Sequence, residues 1–113
     1  MLFVQCSNSQ TNVSSSENYS NAFLVDVRSA GEYNGGSAGD AINIPVDDIQ
    51  RRLDEFPRDK NAKIIVFCLS GGRSSHAKHI LEQNGYTNVE NGGTFRQVRA
   101  KIAKEQEAPY TKG

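Results

Sequence analysis

Long apolar runs are missing from this chain. No stretch of about 18 apolar residues occurs in its 113 residues, which excludes a membrane-spanning helix of ordinary length. An excess of charge is missing too: 13 Lys and Arg are matched by 13 Asp and Glu, so no net field gathers nucleic acid or an acidic membrane. Cysteine occurs only as Cys6 and Cys68, with no CxxC pair and no His/Cys cluster at ligand spacing. Neither a disulfide framework nor a structural zinc site is suggested. Tryptophan is absent, and the 36% hydrophobic content suffices for one modest core but not for two domains. Small size and balanced charge together make a monomer the expected state.

What is present falls into three parts. Residues 7–21 (SNSQTNVSSSENYSN) are rich in Ser and Asn, with Val13 as the one aliphatic side chain, too few apolar atoms to offset the entropy of ordering. The expected organisation is a flexible leader over 1–21, a folded domain over 22–108 and a short tail over 109–113. The start, MLFVQCSNSQ, supports two readings. As the remnant of a lipoprotein signal ahead of Cys6 it would place the protein in the bacterial periplasm or cell envelope. As a plain leader it is compatible with the cytoplasm.

From residue 23 strands and helices alternate. FLVDV reads as a buried strand ending at Asp26 and Arg28, with Ser29 capping the turn AGEY. A second strand over 41–44 closes at Pro45. VDDIQRRLDEF then spaces Val46, Ile49, Leu53 and Phe56 for one helix, with Asp47 and Asp48 near its start. KIIVF (63–67) has the continuous β-branched character of a central parallel strand covered on both faces. RSSHAKHILEQNG predicts a helix with Ala77, Ile80 and Leu81 on one side, stopped at Gly85. Residues 86–90 form a last strand, Gly92 and Gly93 a turn, and TFRQVRAKIAKEQ a final helix with Phe95, Val98 and Ile102 inward. This alternation predicts an α/β fold, a small and mainly parallel sheet flanked by helices on both faces.

In an open parallel sheet, ligands bind at the carboxyl ends of the strands, and Cys68 comes directly after KIIVF at that edge. Ser70, Gly71 and Gly72 lack bulk, so successive backbone N–H groups can curl into an anion-binding nest just ahead of a helix start. A cysteine there, with Arg73 as a neighbouring cation, is set to be a thiolate, the nucleophilic form. The plainer reading, an inert core cysteine, leaves the glycine pair, the arginine and the helix start without a purpose.

Several separate segments, in order between residues 23 and 93, resemble the rhodanese family. FLVDVRSAGEY resembles its DVR and EY motif, AINIP its second strand, IIVFCLSGGRSSHA its active-site strand, loop and helix, and GYTNVENGG the segment after that helix. Among its members the chain is most similar to the small, single-domain, periplasmic phage-shock-type bacterial ones. The resemblance implies a rhodanese-like fold and a sulfurtransferase that moves a sulfur atom from a small anionic donor, thiosulfate or a related one, to cyanide or a thiol through a persulfide on Cys68, with no metal or organic cofactor. It implies that the backbone amides of Leu69, Ser70, Gly71, Gly72 and Arg73 hold that persulfide, with Asp26, Arg28 and Glu32 in support. A histidine frequent in the family before the second strand is replaced by the run from Ser37 to Ala41, which puts substrate access there in question. Two other readings compete. Phosphatases and arsenate reductases on related folds use a longer loop than the four residues between Cys68 and Arg73, and a sulfur-carrying or protein-binding module would load Cys68 without turnover.

The remaining candidates have bland explanations. His76 and His79 lie three apart with no third ligand, and a solvated helix surface is the expected setting. Tyr33 reads equally as site rim or as packing. Arg96, Arg99, Lys101 and Lys104 read as a solvated face of the last helix.

Overall fold

The computed structural model describes residues 19–112. β-branched and aliphatic side chains without interruption make residues 64–68 a strand that tolerates burial on both faces, and all five have no solvent exposure. This strand, β3 (Ile64–Cys68), pairs in parallel with β1 (Phe23–Asp26) on one side and with β4 (Val89–Thr94) on the other. A two-residue strand, β2 (Ile42–Asn43), pairs with β1 and completes a sheet of order β2-β1-β3-β4 that is parallel throughout. Three helices are α1 (Ala30–Asn34), α2 (Gly72–Gln83) and α3 (Phe95–Lys112).

Alternation along the strands sorts the core into two layers. Val25, Val27, Ile64, Val66 and Cys68 face Ala77 and Leu81 of α2, together with Ile44, Ile49 and Phe56. Leu24, Ile65 and Phe67 face Val98 and Ile102 of α3 on the other side. Each such fully buried aliphatic side chain stabilises the fold by roughly 1.5–3 kcal/mol relative to exposure. Ser29 caps α1 through a reciprocal box: Glu32 N–H donates to Ser29 Oγ at 3.3 Å, and Ser29 N–H donates to Glu32 Oε1 at 3.0 Å. Helix α2 ends where Gly85 takes φ +95°.

Four segments differ from expectation. The single helix expected over VDDIQRRLDEF is two 3-10 segments, Val46–Asp48 and Gln50–Glu55, with a non-helical Arg52 at φ −117°. The i,i+3 ion pairs Arg51–Asp48 and Arg52–Glu55 suit the tighter winding, in which residues three apart eclipse. The last strand begins later and runs through the glycine pair. Val66 faces Asn91 while Phe67 faces Gly93, so Gly92 is the extra residue of a bulge and not part of a turn. A Cβ on Gly92 would lie 2.7 Å from Val98 Cγ2, which is why α3 can pack so closely here. Tyr19–Asn21, assigned by sequence to the leader, form a 3-10 turn. Tyr19 is buried, its hydroxyl donating to Glu90 and its N–H donating to Glu105 Oε2 at 2.7 Å. Helix α3 continues to Lys112, into the expected tail. The expected leader over 1–18, with Cys6 and Val13, lies outside the described residues.

Candidate active site

Because β3 ends at Cys68, the chain turns at the carboxyl edge of the sheet with the sulfur still in the α2-side core, and Cys68 has no solvent exposure. The turn depends on Gly71, whose φ of +98° lies in the left-handed region that a Cβ disfavours. In that conformation Gly71 N–H points back and donates to Cys68 Sγ at 2.8 Å. Helix α2 starts at the next residue, so the unpaired N–H groups of its first turn add positive potential.

Ser74, fully buried in that first turn, places its Oγ 3.5 Å from Cys68 Sγ, 3.0 Å from the Gly71 carbonyl and 2.7 Å from Asn91 Oδ1. A hydroxyl has one proton and serves one acceptor at a time. With a neutral thiol, S–H donates to Ser74 Oγ while the hydroxyl donates to Asn91; with a thiolate, the same hydroxyl turns to the sulfur. Asn91 is itself fixed, its Nδ2 donating to Ser75 Oγ at 3.0 Å and its Oδ1 accepting from Gly93 N–H at 2.9 Å. Burial pushes the Cys68 thiol up. The Ser74 hydroxyl and the backbone N–H groups of Ser74, Gly71 and Ser70 outweigh it, and the thiol ionises below its ordinary value.

The sequence places Arg73 beside the thiolate as its cation. Its guanidinium is instead bound to Glu32, with Nη1 donating to Oε1 at 3.0 Å and Nη2 to Oε2 at 3.3 Å. That pairing, helped by the Ser29 N–H, holds the Glu32 carboxyl down to about 2. The short-range stabilisers of the sulfur are therefore hydrogen bonds, and Arg73 contributes as a more distant charge. Leu69, the exposed large hydrophobic residue among those described, is 43% exposed in the loop just after Cys68.

Asp26 and Arg28 sit one strand away. Both are buried, and Arg28 Nη2 donates to Asp26 Oδ2 at 2.6 Å and to the Gly36 carbonyl at 2.6 Å. Ser37, in the segment where the expected histidine is missing, donates its hydroxyl to Asp26 Oδ2 at 2.7 Å. The structure thus brings Glu32 to the cysteine loop through Arg73, while Asp26 and Arg28 brace the neighbouring β1 edge. Tyr33 is packing: its hydroxyl donates to the Ala41 carbonyl at 2.7 Å. His76 and His79 are exposed on α2. Among the described residues no group of three or more His, Cys, Asp or Glu could hold a metal ion.

Ser74 and Asn91 are not singled out by the sequence. For Ser74 a signal exists, since positions 74, 77 and 81 share one helical face and the sequence already assigns Ala77 and Leu81 inward. For Asn91, 17 residues from Ser74, none exists, because its role depends on the bulge that follows it at Gly92. Chemically, the arrangement is a preorganised cradle of donors around one thiolate, able to stabilise negative charge on the sulfur and on an atom added to it.

Comparison with known proteins bears on what that cradle serves. The rhodanese-like domain family matches residues 10–93, more than half of the chain. Thiosulfate sulfurtransferase PspE of Escherichia coli K12 is 38% identical over 74 residues, covering 66% of this chain and 71% of that protein. The tRNA uridine(34) hydroxylase of Erwinia tasmaniensis is 35% identical over 94 residues, but the chain spans only 26% of its length. Among solved structures, a rhodanese with anions from E. coli superposes with a TM-score of 0.62 at 37% identity, over 68% of this chain and 91% of that one. The human single-domain sulfurtransferase TSTD1 does so with a TM-score of 0.62 at 27% identity, over 78% and 86%. A cysteine cradle on a parallel sheet, a family match over most of the chain and a sulfurtransferase relative at this identity converge on one assignment: the chain belongs to the rhodanese-like family of sulfurtransferases.

Proposed function

We propose that the protein is a thiosulfate sulfurtransferase that works through a persulfide on Cys68. The Cys68 thiolate attacks the outer sulfur of thiosulfate, the S–S bond of the donor breaks, and sulfite leaves with the bonding pair. Cyanide or a thiolate then takes the outer sulfur from the resulting persulfide, and the electron pair returns to Cys68 Sγ, which completes two-step covalent catalysis. The observation that carries this reading is the 2.8 Å donation from Gly71 N–H to Cys68 Sγ, joined by Ser74, which favours the thiolate in spite of burial. Leu69, Ser70, Gly71, Gly72 and Arg73 form the cradle, and Asp26, Arg28 and Glu32 support it. The similarity to the E. coli thiosulfate sulfurtransferase supports thiosulfate as donor. Its test is thiocyanate production from thiosulfate and cyanide: activity present in the protein and lost in Cys68→Ser supports the reading, and activity retained in Cys68→Ser overturns it.

A sulfur-carrying module is the second reading, favoured by the complete burial of Cys68 and by the match to one part of a larger tRNA-modifying protein. A Cys68 that gains one sulfur atom by mass, without continued consumption of thiosulfate, is its signature. Phosphate-ester chemistry is disfavoured because Arg73, the cation it would need at the sulfur, is bound to Glu32. The reading includes a monomer in the bacterial cell envelope. Sedimentation as a dimer, or recovery of native protein in the cytoplasmic fraction, would remove the corresponding element.

A further inference from the structure

The sequence presents the arginines of the last helix as an ordinary solvated face, but two of them gather around one aromatic ring at the reactive edge of the sheet. The guanidinium carbons of Arg28, Arg96 and Arg99 lie 4.1, 5.0 and 5.1 Å from the centroid of Phe95. Such cation–π contacts order flexible cations over a surface. Arg28 is neutralised by buried Asp26, as Arg73 is by Glu32. Arg96 and Arg99 have no carboxylate partner among the described residues. Arg99 donates from Nε and Nη2 to the Ser37 carbonyl at 3.2 and 3.0 Å, which fixes it in place without cancelling its charge. In a chain of zero net charge, the four arginines and two carboxylates of this edge leave a local excess of two positive charges.

The cluster is close to the sulfur but not beside it. Cys68 pairs with Thr94, and Phe95 is the next residue after Thr94. One interstrand spacing and one residue step put the Cα atoms of Cys68 and Phe95 no more than about 9 Å apart. The Cys68 side chain belongs to the α2-side core and Phe95 packs against the α3-side core. Thiosulfate attached to Sγ through its outer sulfur places its central sulfur no more than about 4 Å away, two S–S bonds of about 2.05 Å each. An acceptor whose carboxylates stand several bonds from its thiol reaches across a span of about 9 Å.

We propose that Arg96 and Arg99, seated on Phe95, bind the carboxylates of the sulfur acceptor, which is an anionic thiol of peptide size. The inference rests on the persulfide reading of Cys68. The acceptor thiolate attacks the outer sulfur, the S–S bond to Cys68 breaks, the electron pair returns to Sγ, and the acceptor departs as its own persulfide.

The test starts from protein loaded with thiosulfate, in which persulfide on Cys68 is read by mass. Transfer rates are then measured to two capped peptides, one with cysteine followed by two aspartates and one with cysteine followed by two asparagines. The protein with both arginines is expected to prefer the acidic peptide by about fivefold at low salt, the scale of two exposed charge pairs. Salt near 1 M, where the screening length falls to about 3 Å, abolishes that preference. Arg96→Gln with Arg99→Gln removes it, read as the ratio of the two peptides' rates in the same protein. Arg96→Gln alone, which breaks no hydrogen bond or ion pair within the described residues, lowers it in part, and an unchanged melting curve shows that folding is not the cause. Equal rates for the two peptides in the unaltered protein, or a preference that survives the double substitution, overturn the inference. So does a double variant in which thiosulfate loading slows and peptide transfer does not. A protein that acquires no sulfur on Cys68 overturns the persulfide reading itself, an outcome distinct from loading without selectivity.

Discussion

Arg73 and Glu32, 41 residues apart in sequence, hold one another across the gap between the cysteine loop and α1 with two guanidinium-to-carboxylate hydrogen bonds. Glu32 also closes the capping box of α1, so one carboxylate ties together a helix start and the loop that carries the reactive thiol.

The pairing makes the loop sensitive to acid. The folded-state value of about 2 for Glu32 lies below its ordinary 4.5, so its contribution is present above 4.5 and is lost as the pH falls from there toward 2. Unfolding midpoints of the protein and of Glu32→Gln, measured against pH, are expected to differ near neutrality and to converge over that interval. Parallel curves down to the lowest pH would show that the pair adds no pH-dependent stability.

Ser74→Ala is expected to raise the ionisation midpoint of Cys68, because a donor to the thiolate is lost while the burial that opposes ionisation stays. Alkylation by iodoacetamide, tracked from acid to alkaline pH, reads this directly. Near neutral pH the rate falls by about tenfold, the scale of one charge-assisted hydrogen bond, and Ser74→Thr, which keeps the hydroxyl, restores most of it. A midpoint unmoved by Ser74→Ala would assign the depression to the backbone alone.

Gly92→Ala places a methyl group 2.7 Å from Val98 Cγ2 and 3.0 Å from Ile65 Cγ2, both in the packed layer under α3. Overpacking of this kind costs about 1–3 kcal/mol. Thermal unfolding is expected to move down by roughly 4–8 °C for each kcal/mol. At Gly71 no atom obstructs a Cβ, yet φ is +98°, so Gly71→Ala is expected to impair activity through a turned-away N–H more than through stability.

The buried sulfur has a kinetic consequence. With Cys68 at 0% exposure, a reagent reaches it only when residues of the loop move, and the exposed Leu69 and Ser70 follow it directly in that loop. Bulky maleimides are expected to react more slowly than iodoacetamide by a factor well beyond their ratio toward a free thiol. An unchanged ratio would mean that the sulfur is open in solution.

The parts of this site that can be read from sequence are those in which local chemistry and position coincide. KIIVF ends in a cysteine at a sheet edge, glycines come next, and a helix begins, so Cys68, Gly71 and the α2 start are specified within a few consecutive residues. The glycine pair 92–93 carries the turn signal, but a turn and a bulge demand the same backbone freedom, and only the pairing register distinguishes them. The 3-10 winding after Pro45 is hidden for a similar reason, since Val46, Ile49, Leu53 and Phe56 fit either helix over so short a length. Arg73 is legible as a charge but not as Glu32's partner, because the link joins two segments that only the folded sheet brings together.

The anchoring of Tyr19 to Glu90 and Glu105 bears on how the protein can be attached to a surface. Phe23 N–H donates to the Lys63 carbonyl at the amino end of the parallel strands, and Cys68 lies at their carboxyl end, one strand length of roughly 16 Å away. Tyr19 therefore lies toward the pole opposite the thiol, and a protein shortened to begin there can be held by that pole. Coupled to a bead or an electrode by that route, the molecule turns its sulfur-bearing rim toward the bulk solution, an orientation suited to a sulfane-sulfur sensor.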